Sequence, residues 1–349
     1  MKIKKYFRLP DPKNLAQIGD QIFLIAINLV LVILILNKPL NTFISTDPPP
    51  QIEVVSREKG HIGYPVEAGM HIENFHEFDL TKNKFVLNAI VWFKFNPAVL
   101  SLDTIEKFSF EKGDILSKSE PRTKLVGNKV LARYRIKFKF TSNLDYRAFP
   151  LNSHRLYITL TNKTVSPKEM LFQASESGFT LSKNILVPGW KKTKHRVITG
   201  YSESLLDRTD PTIKIQHPVL VFEIDFMRSG IRQLLVLFIP LFFMFYLTLF
   251  SLSLGATQYT SRIGVSLGNI SAFIGYRFVV EGVSPKVGYS MFIDLVFHLL
   301  LFISFFVFFI NLFTKNKEYA RLRGTAILII HTVFIASWYY LCRIWLFKS

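Results

Sequence analysis

Four apolar runs crowd the C-terminal third of this chain, at about 231 to 254, 263 to 280, 290 to 313 and 325 to 347, and they constrain its fold more than any other feature. Runs of this length cross bilayers, and in hydrocarbon the backbone must satisfy its own polar groups, so each run is expected to be a helix. The second run differs from its neighbours. On a helix, Gly264, Gly268, Ser271, Gly275 and, a turn or two further, Gly282 share one stripe, while Ile263, Leu267, Ile270 and Ile274 cover other faces. Such a bare stripe either packs closely against another helix, as small residues at four-residue spacing do in lipid, or faces water.

The excess of eighteen positive charges does not make a nucleic-acid binder of a chain that is 49% hydrophobic. The cations sit beside the apolar runs. Lys2, Lys4, Lys5, Arg8 and Lys13 precede a further run, 22 to 36, and Lys315, Lys317, Arg321 and Arg323 separate the last two. Clusters of this kind mark cytoplasmic flanks. The 22 to 36 run has about the length of a signal peptide, but Asn37-Lys38-Pro39-Leu40 offers no small-x-small cleavage site, so a retained signal-anchor helix is expected. With both basic flanks inside, the segment after it lies outside, as do the 282 to 289 turn and the C-terminus, while 255 to 261 lies inside. The single cysteine, Cys342, falls in the last run, which excludes an intramolecular disulfide.

Pro48-Pro49-Pro50 marks a linker into a domain of about 180 residues. Residues 84 to 95 and 132 to 140 are rich in β-formers, the second alternating basic and apolar side chains, and 155 to 161, 196 to 203 and 217 to 226 are further strand candidates. Many short strands without intervening helices predict a β-sandwich.

The order Arg262, Pro285-Lys286-Val287-Gly288-Tyr289 and Ile293-Asp294 resembles the second and third membrane helices of pentameric ligand-gated ion channels, in the glycine-receptor-like branch. Arg228 ahead of the 231 to 254 run and Pro240 within it also match that family, as does the loop Asp145-Tyr146-Arg147-Ala148-Phe149-Pro150-Leu151-Asn152, where Asn152 replaces the usual aspartate. The stretch Tyr64 to Trp92 looks like the start of the ligand-binding domain in a divergent bacterial set, which lacks the loop disulfide as this chain does. The resemblance covers most of residues 60 to 345 and is patchy outside the membrane; the Trp-x-Asp motif is replaced by Asn96-Pro97-Ala98-Val99. It implies a homopentamer in which a small-molecule ligand bound to the outer domain gates inorganic ions through a pore lined by 263 to 281. It further implies coupling through Asp145, Phe149, Pro150, Asn152, Arg228, Pro285, Lys286 and Tyr289.

Two departures bear on conduction. Ser271 stands where most relatives place a leucine constriction, and the next apolar side chains on that face are Phe278 and Val279. Thr260-Ser261-Arg262 replaces, at the intracellular entrance, the glutamate of cation-selective members, and Arg277 and Glu281, one turn apart near the outer end, would form mouth rings of opposite sign.

Other clusters have plainer readings. His71, Glu73, His76 and Glu77 scatter to both faces of a strand, so no metal site is expected, and no cofactor motif is present. Arg133, Arg135, Lys137 and Lys139 form either a solvated strand face or a cationic vestibule wall. Trp92, Trp190 and Tyr201 are the aromatic candidates for a ligand pocket, with core packing the stronger reading for Trp92 and an exposed or ligand-binding position expected for Trp190. No nucleophile and base pair points to an enzyme. The organisation expected is a basic segment and anchor helix over 1–40, an extracellular or periplasmic sandwich over 41–228 and a four-helix pore domain over 229–349, in a multi-pass protein of the cell or inner membrane. The alternative function is a non-conducting sensor or interaction protein on the same scaffold, with the glycine stripe closing helices on one another.

Overall fold

The alternation in Lys84–Phe95 becomes a strand whose Phe85, Leu87, Ala89, Val91, Phe93 and Phe95 are all buried, as a period of two requires. The computed structural model describes residues 12–54, 63–206, 209–210, 212–316 and 319–346. The expected basic cluster Lys2, Lys4, Lys5 and Arg8, and Lys317, lie outside these. The chain divides into two compact units, a β unit (45–145 and 153–229) and a helical unit (1–44, 146–152 and 230–349).

In the β unit the elements run β1 (Glu53–Val54), β2 (Tyr64–Asp79), β3 (Lys84–Phe95), a short helix α2 (Leu102–Glu106), β4 (Phe108–Phe110), β5 (Gly113–Lys118), β6 (Arg122–Val126), β7 (Lys129–Phe140), β8 (His154–Asn162), β9 (Met170–Gln173), β10 (Phe179–Leu181), β11 (Trp190–Leu205) and β12 (Lys214–Arg228). They form two sheets, one ordered β1-β11-β12-β8-β4 and the other β10-β2-β3-β7-β5, with β6 on β7 and β9 on β2. Every strand predicted above lies within one of these. Rings from opposite sheets meet in a common core: Phe110 stacks on Phe138 at 4.2 Å, and Phe78 meets Phe226 at 4.9 Å. Such pairs add roughly 0.5–1.5 kcal/mol each beyond the area they bury. On β7, Ala132, Tyr134, Ile136, Phe138 and Phe140 point into this core, while Arg133, Arg135 and Lys139 are exposed and Lys137 is half-buried.

The helical unit holds α1 (Pro12–Asn41), α3 (Arg232–Ser251), α4 (Tyr259–Val283), α5 (Phe292–Phe313) and α6 (Ala320–Leu346). All five are long and apolar enough to cross a membrane. The first span is longer than the 22 to 36 run, covering Ile18–Asn41, because the helix continues through Asn37, Lys38 and Pro39. Pro240 leaves the Val236 carbonyl without its intrahelical donor, and the hydroxyl of Tyr276 on α4 donates to that oxygen at 2.7 Å. A neighbouring helix thus supplies what the proline removed. Aromatic rings bind α3 to α6, with Phe245 and Phe334 at 4.7 Å and Phe242 and Trp338 at 5.5 Å. A buried hydrogen bond joins Gln21 of α1 to His331 of α6, Nε2 to Nε2 at 3.2 Å.

The sandwich is not one continuous segment. Residues 146–152, expected within the 41–228 domain, belong to the helical unit. The cause lies in the backbone hydrogen bonds described next.

Candidate functional site

A helix leaves its first N–H groups without intrahelical acceptors. At the start of α5 those donors are taken by the loop 146–152: Phe292 N donates to the Arg147 carbonyl at 2.7 Å and Ile293 N to the Phe149 carbonyl at 3.2 Å. Asp294 closes the remaining gap, its Oδ2 accepting from Met291 N at 2.8 Å. The Tyr289 hydroxyl accepts from Tyr146 N at 3.0 Å, and the Arg147 guanidinium lies 5.7 Å from the Tyr289 ring. Phe149, Pro150, Leu151 and Asn152 are buried, and the Phe149-Pro150 peptide is cis. Of the coupling candidates, Phe149 and Tyr289 are therefore brought to one place. Pro285 is buried nearby in sequence and Lys286 is exposed.

Within the β unit, a residue that the sequence did not mark ties Asp145 to His154 and Arg155. Asp47, beside the proline tract, accepts from Asp145 N at 2.6 Å and Arg155 N at 2.7 Å, and its carboxylate lies 3.2 Å from His154 Nδ1. Its side chain is wholly buried. A buried carboxylate requires this many partners, and the only signal in the sequence is an acid next to Pro48-Pro49-Pro50. Arg228, the remaining coupling candidate, packs its guanidinium 4.7 Å from the Trp190 ring, and burial holds it below the ordinary arginine range.

On α4, Gly264, Gly268, Ser271, Gly275 and Gly282 are all exposed, and a Cβ built on any of the four glycines would have no neighbour within 4 Å. Phe278, 73% exposed, and Val279 share this uncovered face. The opposite face is packed through Ser266, Asn269, Phe273 and Val280. Nothing in the chain covers the stripe among the described residues.

The charges assigned to the pore mouth do not join it. Arg262 is fully buried on the packed side, two residues and about 200° from Gly264. Its Nη2 donates to the Thr314 carbonyl at 2.9 Å, to which Arg323 Nη1 also donates at 3.2 Å, so both cations serve the C-terminal end of α5. Arg277 turns to α5, where Nη1 donates to Asp294 Oδ1 at 2.5 Å while Nε reaches Glu281 at 2.9 Å. The i, i+4 pair is present, but the stronger, less exposed partner is Asp294. Glu281 alone of the three is exposed.

The aromatic candidates are not gathered into one pocket. Trp92 faces away from the core, against the core-packing expectation, because it occupies the odd phase of β3; its ring lies over Gly69, where a Cβ would come within 2.4 Å of it. Trp190, expected to be exposed or ligand-binding, is half-buried between Arg228 and His154. Tyr201 sits eleven residues along the same strand, opposite Pro218, whereas Trp190 is opposite Arg228. At strand rise that separation is roughly 35 Å. His71 hydrogen-bonds Thr180, Glu73 pairs with Arg135 and Glu77 with Lys84. A polar recess of about 350 Å³, lined by Pro48, Pro50, Lys112, Asn143 and Tyr157, had no sequence signal beyond the proline tract. Burial raises the Tyr157 hydroxyl above the ordinary tyrosine value.

A scan against protein-family models finds no match to this chain, and a search of curated proteins finds none.

Proposed function

We propose that this chain is the subunit of a homopentameric, ligand-gated-channel-like membrane receptor. In this reading it is multi-pass, with the β unit outside the cytoplasm, and α4 lines an ion pore. The observation that carries the reading is the face Gly264, Gly268, Ser271, Gly275 and Gly282, exposed and with no neighbour over its glycines, on a helix whose opposite side is packed through Ser266, Asn269, Phe273 and Val280. A span of this kind gains nothing from lipid on its bare side, whereas water and passing ions need room and no apolar contact. The second support is the loop 146–152, continuous with two strands and hydrogen-bonded to the start of α5. A ligand that binds one arrangement of the outer domain better would bias the helices through this loop. The uncovered Phe278 and Val279 replace the absent leucine as the apolar narrowing.

Thiol access tests the proposal. In a Cys342→Ala background, cysteines placed one at a time at Gly264, Gly268, Ser271 and Gly275 should react with a small hydrophilic thiol reagent, since thiolate forms and is reached only where water enters. The intact protein in detergent should also have the mass of five subunits. Protection at all four positions under every condition tested would remove the pore and favour the non-conducting sensor, in which the stripe packs helix against helix.

A further inference from the structure

Residues 20–24 of α1 and the first turns of α6 flank a groove of about 580 Å³. Both helices are long and apolar enough to cross a membrane, and the charged side chains that line the groove, Asp20 and Arg321, lie toward their N-terminal ends, so the groove opens at the membrane surface and descends into one leaflet. Its composition changes with depth. Asp20 and Arg321 stand at the top, both exposed, and neither side chain has a hydrogen bond or ion pair among the described residues. Below them the walls are Phe23, Leu24, Ile327 and Leu328, and from Arg321 to Leu328 the helix descends roughly 10 Å. Gln21 forms part of the wall; its Nε2 is engaged with His331, and its buried Oε1 has no donor.

We propose that this groove binds a phospholipid of the surrounding leaflet whose headgroup carries both a phosphodiester and a primary ammonium. Two unlike charges at one mouth complement a zwitterion: Arg321 takes the phosphate through its planar fork, and Asp20 takes the ammonium. One acyl chain lies against Phe23, Leu24 and Leu328, where its burial is favoured by apolar contact along the whole groove. An anionic glycerol headgroup fits less well because Asp20 faces it with like charge. A choline headgroup fits less well because its quaternary nitrogen has no hydrogen to donate.

The experiment is native mass spectrometry of the delipidated full-length protein in detergent, titrated separately with phosphatidylethanolamine, phosphatidylcholine and phosphatidylglycerol of matched acyl chains. The wild type should bind phosphatidylethanolamine about tenfold more tightly than either of the others. Asp20→Asn should abolish the preference over phosphatidylcholine, and Arg321→Gln should weaken all three. Leu328→Trp, which fills the groove without touching the charges, should lower phosphatidylethanolamine occupancy; Thr325→Trp takes its place should that variant elute differently from wild type in gel filtration. Equal binding of the three lipids by the wild type overturns the proposal, as does an unchanged preference in Asp20→Asn or unchanged occupancy in the filled groove.

Discussion

Helices α1 and α4 both present an uncovered side along a membrane-length span, and the two sides are made of opposite materials. On α1 the open side is Ile22, Phe23, Val30, Ile33 and Leu34, each more than half exposed. On α4 its centre line is glycine and serine down to Phe278, with Leu267 and Ile274 exposed along one edge. The packed sides differ in the reverse sense. α1 buries Gln21, Asn28 and Val32, while α4 buries Phe273, Ile270 and Val280 among its polar contacts. Large apolar side chains in the open suit hydrocarbon, and their absence suits water or a partner. Exposure alone therefore does not define a lipid face; exposure and side-chain chemistry together do.

The largest expected effect breaks this comparison if it is wrong. Val30→Arg on α1 puts a charge near the middle of a lipid-facing span, at a cost of about 2.5–3.5 kcal/mol. The yield of folded, membrane-inserted protein should fall sharply. Ser271→Arg on α4 should leave that yield near wild type and alter ion flux, because a ring of cations in a water-filled passage remains hydrated. Equal loss of folded protein from both substitutions would place the α4 stripe in lipid.

How much of this was legible beforehand differs between the two helices. The stripe of α4 could be read because glycine at helical spacing is a strong pattern and helical phase alone decides which residues share a face. The same phase argument, applied to Arg262, would have placed it on the packed side; it was assigned to the mouth through family likeness instead. Arg277 was paired with Glu281 because sequence separation shows only local partners, and Asp294 lies across a helix-turn-helix excursion. The β-strands were readable from β-formers in 84 to 95 and from alternation in Ala132 to Phe140, which keeps a strict period of two. What alternation did not show is that the 196 to 203 strand extends back to Trp190, which puts Trp190 and Tyr201 on one strand, eleven residues apart. The Asp47 contacts were hidden because three of its donors are backbone or histidine groups about a hundred residues away.

The packed side of α4 gives a sharper and smaller effect. Tyr276→Phe removes the donor to the carbonyl that Pro240 frees, and a hydrogen bond between membrane helices averages about 0.6 kcal/mol by double-mutant cycle. Pro240→Ala returns an N–H to Val236 O, so the tyrosine should matter much less in that background. Thermal unfolding of the two single variants and the double variant measures the coupling. A cost for Tyr276→Phe that is the same with proline and with alanine at 240 would mean that the hydroxyl acts elsewhere.

The smallest effect lies outside both helices and sets the scale for partly exposed charge. Glu67 on β2 contacts Lys129 Nζ at 2.7 Å and Lys94 Nζ at 3.3 Å, and the Lys129 hydrogen bond leads in holding its carboxyl below the ordinary 4.5. The folded value lies under the unfolded one, so the contribution to stability is complete above about 4.5 and is lost as the pH falls through the folded value. With about a third of the side chain in water, the contribution is small. The melting-temperature gap between wild type and Glu67→Gln should accordingly be present at neutral pH, hold as the pH is lowered to about 4.5, and close below it. Other carboxylates titrate in both proteins and cancel in the difference. Added salt should narrow the same gap, because the pair lies on the open face of the sheet where screening acts. A gap that widens on acidification would reverse the sign of the shift, and one that ignores both pH and salt would show that Glu67 acts through packing instead of through its lysines.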